Sequence, residues 1–227
     1  MLKDKDIREA LFDFLEITYG KTRIFEEKMI GKSRADVIMV VPNALFGIEI
    51  KSDADTYTRL EGQIKDYDRY FDYNLVVVGS SHANHVEEHV PDYWGVITVD
   101  EVDGKPDFYY LKPPVLNSKM KLERKIELLW RPELSLVLNH FELPKYSSQS
   151  KPFIRKRLIE FTKLDPEKAK YVDKTALNSY ISEILFERDE EALLAEIKEF
   201  RKAKTPRRKG PKKSTSVRRI RRNAKKL

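Results

Sequence analysis

Cysteine is absent from the 227-residue chain, which excludes disulfides, thiolate metal sites and a cysteine nucleophile. No apolar run approaches the roughly 18 residues that span a bilayer, so no membrane segment and no membrane partner are predicted. The N-terminal stretch MLKDKDIREALFDFLE mixes acids and bases and lacks the apolar core and cleavage site of a secretory signal. We therefore expect a protein of the reducing cytoplasm.

Acidic residues are absent from the C-terminal stretch 201–227, which holds 14 of the 44 Lys and Arg residues. The other 200 residues therefore carry 30 bases against 37 acids. Low apolar content and repelling charges predict a disordered tail, and its charge favours contact with a nucleic-acid backbone. A solubilising tail, or one that folds back onto the acidic body, is the alternative. The candidate nucleic-acid-binding residues of the tail are Arg207, Arg208, Lys212, Lys213, Arg218, Arg219, Arg221 and Arg222.

Hydrophobic periodicity predicts an α/β protein with a mixed sheet flanked by helices. Helices are predicted over 4–17 and 56–71, and strands over 23–30, 34–41, 45–51, 74–80 and 94–100, with a short helix before the last strand. Beyond residue 112 several helical patterns and no convincing strand follow. The predicted organisation is a core at 1–111, a helical extension at 112–200 and a basic disordered tail at 201–227.

Charged residues interrupt the apolar hairpin RADVIMVVPNALFGIEIK. If the hairpin turns at Pro42-Asn43, opposed residues have numbers that sum to 85, and Asp36 faces Glu49 on one sheet face. Opposed carboxylates repel, and a divalent cation such as Mg²⁺ would relieve that repulsion. Lys51 follows on the same face, within reach of a phosphate or an attacking water. The alternative is a half-exposed strand on which Glu49 and Lys51 form an ordinary surface ion pair.

Asp36, Glu49 and Lys51, followed by GQIKDYDRY with Gln63 and Tyr67, resemble the PD-(D/E)xK nuclease superfamily, although Ala35 replaces its proline. The Q-x-x-x-Y arrangement is similar to that of its RecB-type members. The longer string from Arg34 to Phe71, with the later PDYWGVITVD and LLWRPEL, resembles a small bacterial and phage group within the superfamily, over about residues 1–130.

This resemblance implies a restriction-endonuclease-like fold and metal-dependent hydrolysis of phosphodiester bonds. Asp36, Glu49 and the Ile50 carbonyl would bind Mg²⁺, for which Mn²⁺ would substitute. Lys51 would orient or help deprotonate water, and Gln63 would position Lys51 or the substrate. A further acid from the first helix is expected to be Glu9, with Glu27 on the following strand as its rival. Relatives of this fold also suggest a homodimer or a larger nuclease complex.

Further nucleic-acid contacts are predicted outside the acid pair. Arg59 lies one turn before Gln63, where it would reach a phosphate or pair with Asp55. Tyr67 is a second candidate, although it also falls on the apolar stripe of its helix. The basic helix near residue 155 offers Arg155, Lys156 and Arg157.

The hypothesis that follows is a Mg²⁺-dependent DNA nuclease. A ribonuclease is barely separable from it by sequence. A further hypothesis, from a different class, is that the protein is an inactive nucleic-acid-binding or complex-forming module on the same fold.

Overall fold

The structure of the protein is a computed structural model that describes residues 4–52, 55–167 and 169–204. Within them the strands are β1 (Arg23–Ile30), β2 (Ser33–Val41), β3 (Ala44–Lys51), β4 (Tyr73–Gly79), β5 (Gly95–Val102) and β6 (Lys105–Lys112). The helices are α1 (Asp4–Tyr19), α2 (Leu60–Tyr70), α3 (Ser80–Ala83), α4 (Leu122–Lys125), α5 (Arg131–His140), α6 (Lys151–Phe161), α7 (Lys174–Phe186) and α8 (Glu190–Lys204). Short 3₁₀ turns cover Tyr57–Arg59, Val86–Glu88 and Ile126–Leu128.

The strands form one sheet in the order β1-β2-β3-β4-β5-β6. The β1–β2, β2–β3 and β5–β6 pairs are antiparallel, whereas β3–β4 and β4–β5 are parallel. Parallel neighbours need a crossover connection, and α2 supplies it between β3 and β4. The sequence-based expectation of a mixed sheet flanked by helices is therefore confirmed.

Two apolar cores lie on opposite faces of the sheet. On one face α1 buries Ile7, Leu11 and Leu15 against strand residues such as Val37 and Ile48. On the other face α2 and the helices from α4 to α7 pack on the alternate strand residues. Since side chains alternate along a strand, both faces of β3 must be covered, and all eight of its residues are buried. This burial explains why β3 reads as an almost continuous apolar run.

The prediction omitted strand β6. Asp103 and Gly104 join β5 to β6 with φ values of 50° and 76°, which is the left-handed geometry of a two-residue hairpin turn. The Asp-Gly pair was a visible signal for that turn, and KPDFYYLK contains the aromatic residues of a strand. β6 ends at Lys112, next to the predicted boundary of the sheet-bearing core.

Residues up to Arg188 form one compact unit, and α8 belongs to a second unit that begins at Asp189. Within the first unit, α7 packs against β2 and β3. The buried Lys125 amino group contacts Asp72 from one end of the sheet, and Asn178 and Ser182 from α7. The helices between residues 112 and 188 are thus part of the same body as the sheet. None of the helices in the described residues is long and apolar enough to cross a bilayer.

Candidate active site

An open cavity of about 530 Å³ lies where β3 ends and the chain turns toward α2. Charged and polar side chains from α1, from the first three strands and from the start of α2 surround it. The lining residues are Arg8, Glu27, Lys32, Ser33, Arg34, Asp36, Glu49, Ile50, Lys51, Ser52, Asp55, Arg59 and Gln63. The fold thus brings the predicted acid pair, lysine, glutamine and Arg59 to one place.

The β2–β3 hairpin has the predicted register. Val37 lies opposite Ile48 and Val41 opposite Ala44, so the turn is at Pro42-Asn43 and opposed numbers sum to 85. Val37–Ile48 is the last backbone pair of the described ladder before the cavity. Beyond it, the N–H of Ile50 donates to Asp36 Oδ2 at 3.0 Å. The Asp36 side chain therefore reaches across to β3, beside Glu49.

Glu49 is only 1% exposed, and each of its carboxylate oxygens has a partner. Oε2 accepts from the Tyr67 hydroxyl at 2.7 Å. Oε1 accepts from the Lys51 amino group at 2.6 Å and from the Gln63 amide at 2.5 Å. These contacts fix the carboxylate from the strand on one side and from α2 on the other. Lys51 is also buried, so the alternative of an ordinary surface ion pair is wrong.

Asp36 experiences a different electrostatic balance. Burial and the neighbouring Glu49 carboxylate raise its pKa to about 6, although the Ile50 N–H, Arg8 and Lys51 act in the opposite direction. The proximity of Glu49 thus adds to burial in opposing the ionisation of Asp36.

Tyr67 requires a correction, because its side chain is fully buried and unavailable to nucleic acid in this structure. Its hydroxyl donates to Glu49 and accepts the Asp36 N–H at 3.2 Å, so it links the two acids. Burial, then Glu49 and Asp36, raise the pKa of Tyr67, which keeps this donor protonated. Gly47 provides the space, since a Cβ there would lie 2.7 Å from the Tyr67 ring.

The first helix contributes Arg8 to the cavity, whereas the neighbouring candidate Glu9 is exposed and is not among the lining residues. A guanidinium nitrogen of Arg8 donates to the Asp36 carbonyl oxygen at 3.2 Å, and another lies 3.8 Å from Asp36 Oδ1. The predicted acid on this helix is thus replaced by a cation that offsets the charge of Asp36. One residue along a helix is a rotation of about 100°, which separates the two side chains.

Glu27, the rival candidate, does line the cavity. Its position in β1 is opposite Asp36, between the ladder pairs Glu26–Val37 and Lys28–Ala35. Its φ of 53° is rare for a residue other than glycine and costs about 1–2 kcal/mol. The Glu27 carboxylate contacts Arg34 at 3.0 Å and Arg8 at 3.7 Å. Nothing in the sequence signalled this left-handed residue within a strand.

Arg59 lies on the 3₁₀ turn before α2. Both Arg59 and Asp55 line the cavity. Burial alone would raise the pKa of Asp55, but hydrogen bonds from Ser52 and the charges of Lys51 and Arg59 bring it below its usual value. Arg59 is exposed, and its charge is therefore available to a ligand as well as to Asp55.

The basic residues of α6 lie elsewhere. Arg157 pairs with Glu160 and the Tyr146 hydroxyl, Lys156 lies 3.9 Å from Glu160, and Arg155 lies 3.7 Å from Glu127. These ion pairs are the arrangement expected of a solvated helix face. The eight predicted basic residues of the tail lie outside the described residues.

Two carboxylates of the cavity are of the chemical type that binds divalent ions. The part of the chain that the structure describes holds no group of three or more His, Asp or Glu that could bind a metal. Asp36 and Glu49 nevertheless offer hard oxygen donors, and Ile50 lines the same cavity. Mg²⁺ commonly binds through one or two carboxylates, with water and phosphate completing its shell.

The fold and this site define a mixed α/β protein with a paired-carboxylate cavity at the end of its sheet. The chain belongs to the bacteriophage P4 protein cII family, whose model matches residues 1–208. Protein cII of Enterobacteria phage P4 is 23% identical over 147 residues, which are 62% of this chain and 54% of that protein. The chain therefore matches about half the length of this curated relative.

Among solved structures, Pyrococcus furiosus SfsA in complex with Ca²⁺ is 14% identical, with 52% of this chain and 62% of that chain covered. The TM-score of 0.28 is too low to support an inference about fold or function.

Proposed function

We propose that the protein is a metal-dependent nuclease that hydrolyses phosphodiester bonds in DNA. The observation that carries this proposal is the meeting of Asp36 and Glu49 in one open cavity, with the Lys51 amino group 2.6 Å from Glu49. Two carboxylates and a lysine at the end of neighbouring strands are suited to phosphoryl chemistry, because they combine cation ligands with a charge for the phosphate.

The order of elements supports a restriction-endonuclease-like core for this activity. In chain order this core consists of a helix, three antiparallel strands, a crossover helix and a parallel strand, which are α1-β1-β2-β3-α2-β4. Asp36, Glu49, Lys51, Gln63 and Tyr67 all lie on β2, β3 and α2 of this unit, as the PD-(D/E)xK resemblance implies.

Mg²⁺, or Mn²⁺ in its place, would be held by Asp36, Glu49 and the Ile50 carbonyl. When bound, the ion would supply Lewis-acid stabilisation of charge that develops on the phosphate. Tyr67 and Gln63 keep the Glu49 carboxylate oriented from α2, and their hydrogen bonds restrict its rotation. Arg8 restrains Asp36 from α1.

Lys51 carries the proposed catalytic charge. Its amino group touches Glu49 and lies 3.4 Å from Gln63 Oε1, so two acceptors hold it within the cavity. From there the ammonium group can contact a phosphate oxygen and stabilise the pentavalent transition state, or orient the attacking water. Arg59, Arg34 and Lys32 line the same cavity and add positive charge for a polyanion.

The test is cleavage of single-stranded, double-stranded and circular DNA, and of RNA, with Mg²⁺, Mn²⁺ or EDTA. We expect metal-dependent cleavage of DNA that Asp36→Asn abolishes, while the matched change Asp107→Asn on β6 leaves cleavage intact. Cleavage of RNA alone would reassign the enzyme as a ribonuclease. Binding of nucleic acid without cleavage under any condition would contradict the proposal and favour an inactive binding module.

A further inference from the structure

A second open cavity, also of about 530 Å³, lies beside the turn between β1 and β2. The residues that line it are Gly31, Lys32, Ser33, Gly62, Lys65, Asp66, Arg69, Tyr70 and Arg124. Lys32 and Ser33 line both cavities, so the two adjoin at the tip of this hairpin. None of the residues predicted from the sequence to act in catalysis or binding lines the second cavity.

The charges of this cavity favour an anion. Four cationic side chains and one carboxylate line it, whereas the catalytic cavity has five cations and four carboxylates. Moreover, Asp66 is engaged with the hairpin tip: its Oδ2 accepts from the backbone N–H groups of Lys32 and Ser33, at 3.0 and 2.9 Å, and from the Ser33 hydroxyl at 2.8 Å. This carboxylate therefore fixes the backbone beside Lys32.

Two of the cations make only exposed or distant ion pairs. Lys65 contacts Glu61 at 2.6 Å, but the two side chains are 64% and 84% exposed. Arg69 is half exposed and lies 3.9 Å from Asp66 Oδ1. Exposed pairs of this kind contribute little to stability, so a phosphate can replace them. A guanidinium group also matches phosphate geometry with two parallel hydrogen bonds.

Helix α2 connects the two cavities. Gly62, Lys65, Asp66 and Arg69 lie at positions i, i+3, i+4 and i+7 and share one face of the helix. Gln63 and Tyr67 reach the catalytic Glu49 from the neighbouring face. A Cβ built on Gly62 would meet no other part of the protein within 4 Å, so the helix surface is open at this position.

We propose that this second cavity binds a backbone phosphate of the polynucleotide strand that enters the catalytic cavity. This inference rests on the proposed function for its substrate, because only a polyanion supplies phosphates to two adjoining sites at once. Lys32 would lie between the two phosphates, and Lys65 and Arg69 would hold the outer one. The role is positioning of the strand without reading its sequence, since phosphates carry no base identity.

Binding by the full chain in EDTA, measured over a range of salt, tests the cavity without any cleavage. Lys65→Gln/Arg69→Gln should weaken binding on the order of tenfold, and should reduce the slope of log Kd against log salt by about 1.8 for duplex DNA. The matched control is Lys105→Gln/Lys163→Gln, because both lysines are exposed and neither lines either of the two cavities described above. The charge-retaining variant Lys65→Arg/Arg69→Lys should bind like the parent.

Site-specific cross-linking gives a second measurement that a general loss of charge cannot imitate. Because the chain has no cysteine, Gly62→Cys introduces a unique thiol for a short benzophenone reagent. Irradiation should join this position to a labelled oligonucleotide with at least a tenfold higher yield than the control Lys105→Cys. Equal yields, or equal salt slopes in the test and control variants, would overturn the inference.

The outcome is separable from that of the proposed function. If the chain cuts no nucleic acid but the Lys65 and Arg69 changes still reduce binding, the nuclease proposal fails and the phosphate site stands. If Mg²⁺-dependent cleavage is present but the test and control variants bind alike, the second cavity has no role in holding the strand. Circular dichroism of each variant establishes that a loss of binding is not a loss of fold.

Discussion

Two buried lysine–carboxylate pairs in this molecule have the same short contact and different surroundings. The Nζ–O distance is 2.6 Å both for Lys51–Glu49 and for Lys125–Asp72. Lys125 is sealed in the interior, with an exposure of 0% for its side chain and 3% for that of Asp72. Lys51 and Glu49 face an open cavity that a second acid, Asp36, shares.

The two pairs differ in how completely their charged groups are enclosed and satisfied by partners. Asp72 accepts from Lys125, from the Leu45 N–H at 2.7 Å and from the Asn178 amide at 2.9 Å, and Lys125 also donates to Ser182. That network is closed and joins the sheet to α7. At the other pair, Lys51 and Glu49 line an open cavity together with Asp36, whose pKa is raised by burial and by the Glu49 carboxylate. We expect the enclosed pair to stabilise the fold, and the pair at the open cavity to be accessible to a ligand.

Removing Lys125 from its buried pair with Asp72 should have the largest effect on stability. Lys125→Met leaves the Asp72 charge buried without its cation, and we expect a loss of about 3–5 kcal/mol in the free energy of unfolding. Denaturant titration measures it. The double change Lys125→Met/Asp72→Asn should recover part of that loss, because it removes the uncompensated charge. If Lys125→Met costs less than Lys51→Met in the same assay, the distinction between closed and open pairs is wrong.

The matching experiment changes the Lys51–Glu49 pair, which lines the open cavity. Lys51→Met should reduce metal-dependent cleavage by about 100- to 1000-fold, the typical result of removing one group that stabilises transition-state charge. Its effect on unfolding should be smaller than that of Lys125→Met, since Lys51 lines an open cavity whereas Lys125 is fully buried. Single-turnover cleavage and denaturant titration of the same preparation separate the two effects. Unchanged cleavage would remove Lys51 from the proposed mechanism.

Much of the open site could be predicted from local sequence, because a tight hairpin fixes its own register. Placing the turn at Pro42-Asn43 was enough to bring Asp36 beside Glu49, and i, i+4 spacing put Gln63 and Tyr67 on one helix face. The sequence does not show which of Arg8 and Glu9 lines the cavity, because both lie beside the apolar stripe formed by Ile7 and Leu11. Only packing against the sheet sets the rotation of α1.

The closed network could not be predicted in the same way. Lys125 lies 53 residues from both Asp72 and Asn178, and no periodicity connects positions so far apart. A lysine in the polar run KLERK gives no sign that it is fully buried. Contacts between distant segments depend on how α4 and α7 pack on the sheet, whereas the open pair depends mainly on one hairpin and the helix after it.

The raised pKa of Asp36 also predicts how stability changes with pH. Its pKa is raised from 3.8 to about 6, so in EDTA the folded protein binds more protons than the unfolded chain between these values. Stability is therefore lost as the pH rises through this window, by about 2 kcal/mol after allowance for the 19% exposure of the side chain. Melting in EDTA between pH 4 and 7 measures the loss.

Asp36→Asn should abolish that decline, and excess Mg²⁺ should reduce it. Asp55→Asn, in the same cavity, is the control of opposite sign. The pKa of Asp55 is lowered, so the ionised form contributes stability that is lost as the pH falls, and the variant should be relatively weakened at neutral pH. A decline that persists in Asp36→Asn would mean that another group titrates in this window.

Two tyrosines give the finest comparison between the candidate active site and the rest of the fold. The Tyr67 hydroxyl donates to Glu49 at 2.7 Å, and the Tyr93 hydroxyl donates to Asp68 at 2.5 Å, outside the cavity that Asp36 and Glu49 line. Each Tyr→Phe change removes one hydrogen bond to a carboxylate, for which about 1.5 kcal/mol of stability is a reasonable expectation. Only Tyr67→Phe also frees Glu49 to rotate, so it alone should lower cleavage, by about tenfold, in single-turnover measurements. Equal cleavage by the two variants would mean that Lys51 and Gln63 suffice to orient Glu49, and that Tyr67 serves the fold as Tyr93 does.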